Sequence, residues 1–105
     1  MEKILEEIKK EREKQNEKWG EQNHSPMEWI AILTEEVGEA AKEALDFHFC
    51  NPMKGVNGDT FPAKDGHQLD RLEAYRKELI QIAAVAVQMV ECFDRHEPEY
   101  RVLNF

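Results

Sequence analysis

Between Leu79 and Val90 only Gln81 and Gln88 are polar, and no Gly or Pro interrupts the run. A stretch of this kind, without the strict alternation of a half-buried strand, reads as a helix that is apolar nearly all round. Such a helix has to be enclosed on most sides. A chain of 105 residues has little further material to do the enclosing. The sequence therefore predicts an all-α helix bundle in which another subunit, as a homodimer or a dimer of dimers, supplies the missing cover.

The rest of the chain divides around this run. Glu2 to about Lys18 is rich in helix formers with an apolar stripe (Ile4, Leu5, Ile8) that fades early, so this helix is expected to pack by one end or against a partner chain. Trp19-Gly20 closes it, with Gly20 placed as a C-terminal cap. Ser25-Pro26-Met27-Glu28 has the form of a capping box with Pro at the first helical position. It opens a second helix reaching about Phe47, with an expected apolar face of Trp29, Ile30, Leu33, Val37, Ala40, Ala41 and Ala44. Residues 48–67 carry Asn51-Pro52, Asn57-Gly58-Asp59, Phe61-Pro62 and Asp65-Gly66, which predict a long loop with Lys54 and Lys64 in reach of an anionic ligand. A third helical segment is expected from about Leu69 to His96, stopping before Pro98. The whole chain reads as a single domain, residues 1–105.

Two carboxylates disturb this pattern. At about 100° of rotation per residue, Glu36 projects about 20° from Trp29 and Phe47, inside the apolar arc, with Glu39 at its border and Glu35 turned outward. On the third segment Glu78 projects between Val85 and Met89, and Gln81 follows one turn later. Burying an uncompensated carboxylate costs several kcal/mol, so each of these acids needs a cation, a proton or a place at the edge. Antiparallel packing would set Glu36 and Glu39 opposite Glu78 and Gln81 in an oxygen-rich pocket. Oxygen donors without His or Cys select hard cations, Mg²⁺ or Mn²⁺. The structural alternative is pairing of these acids with Lys42, Arg71 or Arg76. Arg71, on the stripe of Glu78, is either a phosphate contact or the partner of an acidic neighbour. Trp19 and Trp29 offer faces on which a base can stack, with core packing the competing role for Trp29.

Composition narrows the partners. With a net charge of −8 and no basic stripe, the chain is not expected to bind a nucleic acid polymer. No run approaches the roughly 20 apolar residues of a membrane span, and Cys50 and Cys92 have neither metal nor redox spacing, so a cytoplasmic protein without membrane attachment is expected.

Glu35-Glu36-Val37-Gly38-Glu39 resembles the EExxE motif of the MazG-like all-α nucleoside triphosphate pyrophosphohydrolases. Glu78-Leu79-Ile80-Gln81 falls where that family has ExxD. The segment Glu11 to Gly20 and the run from Glu78 to Val87 are also similar to small MazG-like proteins of phages and bacteria, so the resemblance covers nearly the whole chain. It implies a bundle completed by dimerisation and Mg²⁺-dependent hydrolysis of a (deoxy)nucleoside triphosphate to monophosphate and pyrophosphate. It further implies that Glu36, Glu39 and Glu78 are metal ligands, with Glu35 a supporting acid. Gln81 departs from the family's Asp: its amide oxygen can coordinate but brings no charge. That departure keeps open a second reading, a MazG-like module that binds nucleotide or a protein partner with little or no turnover. A di-iron bundle would need Glu-x-x-His on its helices, and the only such spacing, Glu21 to His24, precedes the second helix.

Overall fold

The computed structural model describes residues 1–49 and 65–103. They form three helices, α1 (Glu2–Trp19), α2 (Pro26–Phe49) and α3 (Asp65–Leu103), with no strand among the described residues. Both start and stop signals of the first connection are realised. Gly20 takes φ 71°, the region that favours glycine, and its N–H bonds to the Asn16 carbonyl at 2.8 Å. At the start of α2 the Glu28 N–H donates to Ser25 Oγ (3.2 Å) while the Ser25 N–H donates to Glu28 Oε1 (2.9 Å), closing the capping box. Ser25→Ala should therefore lower the unfolding free energy by about 1 kcal/mol in urea titrations, with an unchanged m-value.

α3 is the spine: α1 and α2 each pack against it rather than against each other. α2 runs antiparallel to α3, since Trp29 shares a cavity with Cys92, Glu36 meets Glu78, and Asp46 meets Arg71. Among the described residues the buried apolar core is thin, comprising Trp29, Ala40, Ala84, Val85 and Cys92. Gln88, one of the two polar interruptions of the apolar run, is also buried and donates its Nε2 to Gln22 Oε1 at 3.0 Å. Beside it Arg95 and His96 both reach Asn23 Oδ1, at 2.9 Å each. The connection before α2 is thereby tied to the far half of α3.

α1 buries no residue completely and is held largely by charge. Arg76 makes a bidentate pair with Glu7 (2.8 and 2.6 Å), and Arg12 Nε bonds to Glu91 Oε1 at 2.6 Å. Ile4 and Leu5 stay exposed, so the early apolar stripe is a weak anchor.

Three expectations need correction. α3 begins at Asp65 and passes through Pro98 to Leu103 rather than stopping before it. A proline forfeits one backbone bond, and the turns around it are held by Tyr100 stacked on Phe93 (5.7 Å) and by Arg101 Nε on Glu97 (2.7 Å). The predicted loop is shorter than residues 48–67, because 48, 49 and 65–67 are helical. The remainder, with Lys54 and Lys64, lies outside the described residues.

The third correction concerns the packed face of α2. Trp29 and Ala40 are buried and Leu33 is half-buried, but Ile30, Val37, Ala41 and Ala44 are exposed. The half-buried edge instead takes in Ile32, Glu36 and Glu43. The apolar arc of α2 is wider than one helix can cover, and α3 covers its acidic edge. No helix among the described residues is long and apolar enough to cross a membrane.

Candidate metal centre and adjoining cleft

The antiparallel α2–α3 contact brings Glu36, Glu39 and Glu78 together. One carboxylate oxygen from each lies within 4.8 Å of the other two. Glu36 and Glu39 share a helix margin at i, i+3 spacing, and Glu78 answers them from α3. Glu36 and Glu78 are half-buried, and Glu39 stands at the open side.

Nothing among the described residues neutralises this charge. Among the described residues no Lys or Arg is paired with any of the three acids. Arg76 is committed to Glu7, and Arg71 donates Nη1 to the Asp46 carbonyl at 2.9 Å. The cost is visible in the titration of the acids. Burial first, then the charges of Glu39, Glu35 and Glu11, push the Glu36 carboxyl above the ordinary carboxylate range. Burial first, then the charges of Glu39 and Glu36, then a hydrogen bond with the Glu39 carboxyl and the charge of Glu43, push up Glu78. The Oε2 atom of Glu78 is also enclosed without a hydrogen-bond partner.

A hard divalent cation fits this donor set. One ion shared by the three carboxylates would relieve the repulsion and give the orphaned Glu78 oxygen a partner.

Next to the acids a cavity of about 410 Å³ opens between α1 and α3, lined by Glu11, Lys14, Gln15, Lys18, Trp19, Glu36, Lys77 and Gln81. Glu36 belongs to both the acidic cluster and the cavity. Gln81 faces this cavity, which explains the second polar interruption of the apolar run. Trp19 is 60% exposed, with Lys18 Nζ lying 4.8 Å from its ring centroid. Glu35 is exposed and outside the triad, acting on Glu36 through its charge alone. Trp29 is core, with the His24 ring edge-on at 4.8 Å.

The sequence pattern singled out none of Glu11, Glu43, Lys14, Lys18 and Lys77. Glu43 had a legible signal, one turn beyond Glu39 on the same margin. The α1 residues had only their nearness to Trp19. A comparison of the chain with protein-family models, with curated proteins and with solved structures returns no match.

Proposed function

We propose that the protein is a Mg²⁺-dependent nucleoside triphosphate pyrophosphohydrolase of the MazG-like type, converting a (deoxy)nucleoside triphosphate to its monophosphate and pyrophosphate. The observation that carries this reading is the convergence of Glu36, Glu39 and Glu78 with no paired Lys or Arg among the described residues, at the edge of a cavity wide enough for a small ligand. A divalent ion held by these acids, with Gln81 as a neutral neighbour, would supply charge neutralisation of the phosphates and a more acidic water. The chain's own groups do the rest. Glu35 and Glu43, outside the triad, are carboxylates within electrostatic reach that can accept a proton from the attacking water. The half-buried setting of Glu36 and Glu78 strengthens each of these interactions relative to bulk water.

The assembly is part of the same reading. Ile30, Val37 and Ala44 on α2, and Leu72, Leu79, Ala86 and Phe93 on α3, recur at seven-residue intervals and are exposed. In an antiparallel pair, positions one step beyond the packed residues of each helix turn to the same side. Here that is the side away from α1. Seven-residue apolar spacing on two adjacent helices is the seam of a four-helix bundle, and a second copy of the chain would complete it. The radius of gyration of 18.6 Å, against about 13 Å for a compact domain of this length, agrees with a subunit that needs a partner to close its core.

Incubation of the purified protein with each (d)NTP and Mg²⁺ tests the activity. Pyrophosphate and monophosphate in equal amounts are expected, and orthophosphate is not. Binding of nucleotide without any product would favour the module that binds without turnover, the reading that Gln81 keeps in play.

A further inference from the structure

The cavity between α1 and α3 has a chemistry of its own. In a chain with 22 acidic and 14 basic residues, the charged residues of its wall are three lysines, Lys14, Lys18 and Lys77, and two acids, Glu11 and Glu36. None of the three is in a salt bridge with a carboxylate among the described residues, whereas Arg12, Arg76, Arg95 and Arg101 all are. Arg12 and Arg76 tie α1 to α3, while the cavity lysines stay exposed. Lys14 and Lys18 stand one turn apart on α1 and face Lys77, the residue before Glu78 on α3. Gln15, on the same wall, has an enclosed side-chain oxygen with no hydrogen-bond partner. Trp19 adds an exposed aromatic face at the end of α1.

Positive charge gathered on the cavity wall beside a cluster that would hold a divalent cation suits one kind of ligand: a chain of phosphates carrying a flat ring. We propose that Lys14, Lys18 and Lys77 form a clamp for the outer phosphates of a nucleoside polyphosphate whose base lies on Trp19. The clamp rests on the pyrophosphohydrolase reading for its ligand and extends it. It makes the length of the phosphate chain the feature selected, because lysines bind phosphates as point charges and an aromatic face accepts any base. Lys18, now over the Trp19 ring, would exchange that position for a phosphate as the base arrives. Gln15 would gain a partner from the sugar or the base.

The test is binding without turnover, by calorimetry, with Mg²⁺ and a nucleoside triphosphate carrying a methylene group between its α and β phosphorus atoms. Removing one charge-assisted hydrogen bond to a phosphate corresponds to about tenfold or more in affinity. Lys14→Gln and Lys77→Gln should each weaken binding of the analogue about tenfold, and the double variant about a hundredfold. Affinity for the nucleoside monophosphate should change less than about threefold. Lys42→Gln, on exposed α2 surface, should leave both unchanged, and circular dichroism should show all variants folded. Equal binding of the analogue by wild type and double variant would overturn the clamp even if the wild type hydrolyses triphosphates. Absence of binding to the wild type would overturn it as well. Lysine-dependent binding without hydrolysis of any natural triphosphate would support the clamp and remove the enzymatic reading instead.

Discussion

Glu78→Gln is expected to raise the melting temperature of the metal-free protein at neutral pH while abolishing hydrolysis. The two effects have one cause. Glu78 sits half-buried against Glu36 and Glu39 with no counter-ion among the described residues, and its Oε2 has no partner. An amide of the same shape removes the repulsion, which we expect to be worth about 4 °C, or about 1 kcal/mol in a domain of this size. In the proposed site the same change would remove a charged metal ligand, and several kcal/mol of transition-state stabilisation correspond to a loss of about 10³-fold in rate.

The pH dependence follows in sign. Glu36 and Glu78 both titrate above the ordinary value of 4.5 in the folded protein. Their stabilising contribution is complete below that value and is lost as pH rises through their folded pKa values. In EDTA, melting curves should therefore show wild type losing stability from these groups as pH rises toward neutrality, and Glu78→Gln losing less. Saturating Mg²⁺ should reverse the order, because an ion at 100 times its Kd adds about 2.7 kcal/mol to the species that binds it. A Glu78→Gln protein that still gains as much from Mg²⁺ as wild type would show that the ion binds elsewhere.

Charging the exposed side of the α2–α3 pair should have the second largest effect. Val37 and Leu79 are 48% and 42% exposed in the single chain, so in an isolated monomer lysine at either position would cost little. In a bundle of four helices the same change buries a charge in an apolar seam, at several kcal/mol. Val37→Lys combined with Leu79→Lys should reduce the mass measured by light scattering from twice that of the chain to that of one chain. Helicity and melting temperature should fall with it, since the thin core of Trp29, Ala40, Ala84, Val85 and Cys92 would lose its cover. An unchanged mass would place the interface between copies on another face.

The sequence was most informative where a local rule decides the outcome. The Ser25–Glu28 box, the Gly20 cap and the all-helical character follow from residue chemistry within a few positions. The meeting of Glu36, Glu39 and Glu78 was legible because a helical projection put Glu36 and Glu78 inside apolar faces, with Glu39 at the border of the first. What the projection could not resolve was which part of a wide apolar arc would be covered. Val37 and Glu36 are neighbours on α2, and only the angle of the α2–α3 packing determines that Glu36 turns inward and Val37 outward. The lysine wall was hidden for a related reason. α1 has almost no apolar stripe beyond Ile8, so its register on α3 is fixed by long-range pairs such as Glu7 with Arg76 and Arg12 with Glu91, which no local pattern announces. Pro98 misled because the breaker rule states a cost and not a prohibition: inside α3 it forfeits one backbone bond, and contacts such as Tyr100 on Phe93 hold the turns around it.

The most direct measurement is diffraction at the manganese edge from crystals grown with Mn²⁺. An anomalous peak within coordination distance of the carboxylates of Glu36, Glu39 and Glu78 in every subunit is the predicted result. Peaks only at other sites, with these three acids engaged by lysine or arginine side chains, would contradict it.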